Sequence, residues 1–158
     1  LYEEYWKIYT KSDSMPPQYI ASDATVERCI IGEGAEIYGA LYNSVIGPGV
    51  IIEDGAVIKD SILMGNVKVG KDTKITKAII AEDTVIGDPC QLGVGEYAES
   101  KYNKKVYAFD LVTIGENSVI PSGVRIGKNT AISGVTETAD YPDKELASGG
   151  YIIKGGEA

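Results

Sequence analysis

The sequence contains no histidine. That removes the commonest general base and the commonest zinc ligand, so Ser-His and Cys-His catalysis and His-based metal chemistry are excluded. Cysteine is nearly absent: Cys29 and Cys90 are too few for a disulfide framework, no oxidising compartment is indicated, and a cytoplasmic location is expected. Positive charge is scarce, with 15 Lys and Arg against 23 Asp and Glu, a net charge of −8 and a pI near 4.6. The electrostatic footprint of a nucleic-acid or anionic-membrane binder is missing, so neither partner is expected. No apolar run nears the roughly 18 residues of a bilayer span. There is no charged-then-apolar leader, so no signal peptide is expected, and a chain opening on Leu1 is expected to be a piece of something longer.

What remains is a chain of 158 residues, 44% hydrophobic and 24% charged, the size and composition of one globular domain. Leucine is rare, 6 residues against 20 Ile and 13 Val, a β-branched bias that favours pleated strands. The apolar residues recur every six positions: Ile46, Ile52, Ile58; Leu63, Val69, Ile75; Ile80, Ile86, Leu92; Ile114, Ile120, Ile126, Ile132. Turn residues fill the gaps, as in Ile31-Gly32-Glu33-Gly34-Ala35 and Ile46-Gly47-Pro48-Gly49-Val50. The doublets Ile30-Ile31, Val45-Ile46, Ile62-Leu63 and Ile79-Ile80 add a longer step of 15 to 17 residues, or three hexapeptides per turn. This pattern predicts an all-β, single-stranded parallel β-helix, in which each coil stacks its large apolar residues on those of the next. A period of six fits no helix, and sandwich strands recur about every 8–12 residues. Spacing does not fix the hand of the coil.

Three segments leave the pattern. Residues 1–20, with Tyr2, Tyr5, Trp6 and Tyr9, are expected to be a cap or a linker to a further domain, ahead of a β-helix over 21–135. Residues 93–113 interrupt the register with Tyr97, Lys101, Tyr102, Lys104, Lys105 and Tyr107, either a solvated excursion or a binding loop. Residues 136–158 form a tail in which Ser148 to Lys154 is expected to lie extended along the prism. Cys90 takes a small-residue position and is expected to be a buried filler. A Cys29–Cys90 bridge is not expected, because several coils roughly 4.8 Å apart separate them, beyond the limit of about 7 Å between Cα atoms.

The lead-in Trp6-Lys7-Ile8-Tyr9-Thr10, then Pro16-Pro17-Gln18-Tyr19-Ile20, with Asp60-Ser61-Ile62-Leu63-Met64, Val69-Gly70-Lys71-Asp72 and Ile75-Thr76-Lys77-Ala78-Ile79-Ile80, resembles the C-terminal part of glucose-1-phosphate adenylyltransferase, also called ADP-glucose pyrophosphorylase. The resemblance covers nearly the whole chain. It implies a left-handed coil, a homotetrameric parent under allosteric control, and an N-terminal nucleotidyltransferase domain that uses Mg²⁺ and ATP to make ADP-glucose for bacterial glycogen synthesis.

No catalytic, cofactor-binding or metal-binding residue is expected in this chain. Gly149-Gly150 and Gly155-Gly156 lack the basic residue and strand-to-helix setting of a phosphate loop. Where the resemblance looks for cations that bind a phosphorylated activator, the chain has Ala81-Glu82 and Thr113-Ile114-Gly115, so activation by a sugar phosphate is expected to be weak or absent. Arg28, Lys77 and Lys128 remain as candidate anion contacts. Hexapeptide acyltransferases and solenoid carbonic anhydrases need the missing histidines. A non-catalytic regulatory homologue, and a related enzyme with another nucleotide donor, stay open because the deciding residues lie elsewhere.

Overall fold

A computed structural model describes residues 14–154. The aromatic lead-in through Asp13, and Gly155-Gly156, lie outside the described residues. Short parallel strands form three sheets, of six, seven and seven strands. The first runs from Tyr19–Ile20 through Glu36–Ile37, Ile51–Ile52, Lys68–Val69 and Val85–Ile86 to Val119–Ile120. The second runs from Thr25–Glu27 to Glu145–Leu146, and the third from Ile30–Ile31 to Tyr151–Ile153. Each coil but the last contributes one strand to each sheet, so the molecule is a parallel β-solenoid.

The hexad residues stack as the period requires. Leu41, Ile58, Ile75, Leu92 and Ile126 are in register along the second sheet. Ile46, Leu63, Ile80, Ile114 and Ile132 do the same along the third. All ten are buried, and the columns meet in one continuous core. Buried hydroxyls at small-residue positions are hydrogen-bonded rather than left bare: Thr73 Oγ1 donates to the Gly87 carbonyl (2.9 Å) and accepts the Cys90 amide (3.0 Å). Cys90 is fully buried, which pushes its thiol pKa up, and both cysteines are free. Among the described residues, no helix is long and apolar enough to cross a membrane.

Paired strands extend past both ends of the hexad span. Tyr19–Ile20 pairs with Glu36–Ile37, ahead of residue 21. Beyond Val135 the tail does not simply lie along the prism but winds a further coil. Glu145–Leu146 pairs with Arg125–Gly127, and Tyr151–Ile153 with Thr130–Ser133, after short 3₁₀ turns at Thr138–Asp140 and Pro142–Lys144. The hexad signal fades there because 3₁₀ turns replace a strand and an aromatic residue, Tyr141, fills the end of the core in place of an aliphatic one.

Tyr141 is 2% exposed and its hydroxyl lies 2.8 Å from Thr136 Oγ1, which itself donates to the Val119 carbonyl. Burial raises its pKa from the ordinary 10 to about 12. The folded state therefore favours the neutral phenol: this contribution to stability is intact below pH 10 and is lost as pH rises toward 12. Ultraviolet titration of native protein is expected to show a late ionisation of the buried Tyr141, toward pH 12, and Tyr141→Phe to remove that late step. An ordinary titration near pH 10 would contradict the buried cap.

Candidate functional site

The edge between the second and third sheets is made by single residues with left-handed backbone: Arg28 (φ 54°), Asn43 (47°), Asp60 (50°), Lys77 (51°), Asp110 (66°) and Asn129 (54°). Asn and Asp suit this conformation, because a short polar side chain tolerates it, whereas Arg28 and Lys77 are less usual occupants. The side chains bond along the edge: Asn43 Nδ2 donates to Asp60 Oδ1 (2.7 Å), and Lys77 Nζ to Asp110 Oδ2 (3.4 Å).

The three candidate cations share this edge but do not converge. Arg28 stands three rungs from Lys77, about 14 Å at the usual strand spacing. Lys128 precedes Asn129, two rungs farther along. Asp60 and Asp110 lie between them, and Lys77 is already paired with Asp110. One small anion cannot reach two of the three.

The opposite corner, between the third and first sheets, brings together the two places where the resemblance looks for cations. The Ala81-Glu82 turn lies directly beside the Gly115-Glu116 turn: Ala81 N–H donates to the Ile114 carbonyl and Asn117 N–H to the Glu82 carbonyl, both at 2.9 Å. The turns of this edge carry Glu33, Glu82, Asp83 and Glu116, and Lys154, the one lysine among the described residues lining the hollow beside Glu116, is already paired with Asp140, so the edge is acidic.

A third feature is built by the interrupting loop. The second-sheet strand Gln91–Val94 ends in a bulge where Gly93 has φ +81°, and a Cβ there would overlap the Thr76 carbonyl oxygen. The chain leaves the coil and returns at Val112–Ile114. Asn129, 1% exposed, ties the excursion down at both ends: its Nδ2 donates to the Ala98 carbonyl and its Oδ1 accepts the Asp110 amide, each at 2.8 Å. Lys101 N–H donates to the Gly149 carbonyl (2.8 Å), so the loop lies over the last coil. There the Tyr102 ring packs between Tyr107 (centroids 5.6 Å apart) and Tyr151 (5.0 Å), beside a groove of about 280 Å³. The sequence reading singled out Tyr102 and Tyr107, named Thr113 only as a place lacking an activator-binding cation, and gave no site role to Tyr151 or Ser133. The signal for Tyr151 is the rung register, which pairs Thr113 with Ala131 and Ala131 with Tyr151. Among the described residues, no group of three or more His, Cys, Asp or Glu is placed to hold a metal ion.

Short parallel strands, six-residue apolar spacing and turn-lined edges define a hexapeptide-repeat β-solenoid. Residues 15–110 match the family described as GlmU-like, C-terminal hexapeptide, and the chain belongs to that family. A glucose-1-phosphate adenylyltransferase from Lachnospira eligens is 61% identical over 157 residues, which cover 99% of this chain and 37% of the relative. The enzyme of the same name from Fervidobacterium nodosum is 44% identical over 153 residues, 97% of this chain and 36% of the relative. The chain thus spans little more than a third of these relatives and corresponds to their C-terminal part. Among solved structures, a perosamine N-acetyltransferase from Caulobacter crescentus aligns over 89% of this chain and 54% of its own, with a TM-score of 0.36 and 18% identity.

Proposed function

We propose that this chain is the assembly and regulatory end of an enzyme that makes ADP-glucose. In that reaction a phosphate oxygen of glucose-1-phosphate attacks the α-phosphorus of ATP, AMP is transferred, and pyrophosphate leaves. ATP and Mg²⁺ are held by a nucleotidyltransferase domain outside these 158 residues, and the parent works as a cytoplasmic homotetramer in bacterial glycogen synthesis. The observation that carries this is the 61% identity to a glucose-1-phosphate adenylyltransferase over 99% of the chain. The solenoid suits the role because its open ends and sheet edges offer surfaces for other copies and for the catalytic domain. Control by a phosphorylated sugar at the Glu82–Glu116 corner is weak, since carboxylates repel phosphate there.

The test is product formation by the natural full-length protein. With ATP, glucose-1-phosphate and Mg²⁺ it is expected to release pyrophosphate and ADP-glucose, and residues 1–158 alone are expected to release neither. A full-length protein that uses only another nucleoside triphosphate, or that is inactive without a second subunit, would overturn the assignment in favour of a related nucleotidyltransferase or a regulatory homologue.

A further inference from the structure

The groove beside the loop tyrosines has an unusual lining for so acidic a chain. Tyr102, Tyr107, Thr113, Ser133 and Ile153 surround it with backbone from Gly115 and Ala131, and no charged side chain is among its walls. Among the described residues, the hydroxyls of Tyr102, Tyr107, Thr113 and Ser133 make no hydrogen bond within the protein, although most other Ser and Thr hydroxyls of the solenoid do, such as Ser61, Thr73, Thr84, Ser118 and Thr136. Tyr102 is half exposed, so part of its ring is open to a ligand. Lys104 pairs with Glu99 and Lys154 with Asp140, and neither these nor the loop lysines Lys101 and Lys105 are among the walls of the groove.

Aromatic faces attract the weakly positive C–H edges of a ligand, and free hydroxyls exchange hydrogen bonds with its hydroxyls. A phosphorylated or carboxylated ligand finds no positive partner in the walls and is repelled by the net charge of the chain. At about 280 Å³ the groove is just below the range of drug-sized ligand clefts, about 300 to 1,000 Å³, which restricts it to a small ligand. We propose that this groove is a binding subsite for one neutral hexose unit of a saccharide, stacked on Tyr102 and hydrogen-bonded to Thr113 and Ser133. Asn129 and the Lys101–Gly149 hydrogen bond hold the loop in place before the ligand arrives, which lowers the ordering cost of binding. The proposal does not depend on the reaction proposed above.

Isothermal titration of the natural full-length protein with maltotriose tests it, with glucose-6-phosphate as the charged probe. Maltotriose is expected to bind saturably. Tyr102→Ala is expected to weaken it at least about tenfold by removing the stacking face. Thr113→Val, which keeps the shape and removes the hydroxyl, is expected to weaken it about threefold to tenfold. Circular dichroism identical to the parent confirms that each variant is folded. No saturable binding of maltotriose would overturn the proposal, as would binding that survives both substitutions. So would glucose-6-phosphate binding as tightly as maltotriose and being lost with Tyr102→Ala.

Discussion

Ile75→Ala is expected to destabilise the domain by about 2–5 kcal/mol, read from the urea unfolding midpoint by circular dichroism. Ile75 is fully buried at the middle of the second-sheet column, in register with Ile58 on one side and Leu92 on the other. Removing its side chain leaves a cavity that two neighbouring coils line together, and neither can collapse into it without breaking register. A solenoid holds each coil only through its neighbours, so a fault at the centre weakens both halves. Lys74→Ala, one residue earlier and pointing outward on the same strand, is expected to change stability by no more than about 0.5 kcal/mol. A cost below about 1 kcal/mol for Ile75→Ala would mean that the column is not the stabilising element.

Asn129→Ala is expected to cost about 2–4 kcal/mol and, more specifically, to release the 95–111 loop. The substitution removes the acceptor for the Asp110 amide and the donor to the Ala98 carbonyl at once. It also places alanine at φ 54°, where asparagine is tolerated and a simple side chain is strained. Hydrogen exchange is expected to rise at the amides of Lys101 and Asp110 while the coils from Glu36 to Ile86 stay protected. Uniform acceleration across all coils would show instead that Asn129 supports the whole prism rather than the loop.

These two residues mark what was and was not legible beforehand. Ile75 belongs to a series with a fixed six-residue step, and a column built from translation alone can be drawn from the sequence. Asn129 and Asp110 reach each other only because a loop of undetermined path returns to the same edge, and no period relates positions 19 residues apart with an insertion nearby. The pairing of Lys77 with Asp110, 33 residues along, was hidden for the same reason, so Lys77 stood out as an unpaired cation. Tyr141 was invisible because it replaces the hexad pattern instead of repeating it. At the acidic corner, by contrast, Glu82 was read beforehand, and Glu116 joins it because stacked turns bring their residues together by construction.

Native mass spectrometry of the natural gene product is the most direct test of whether this chain is the assembly-forming end of a longer enzyme. If 157 residues are 37% of a relative, a parent of about 420 residues is implied. The expected result is an intact chain of that size assembled as a tetramer, its last third matching this sequence. A product that coincides with these 158 residues and remains monomeric would contradict the account, leaving a free-standing solenoid with no enzyme to assemble.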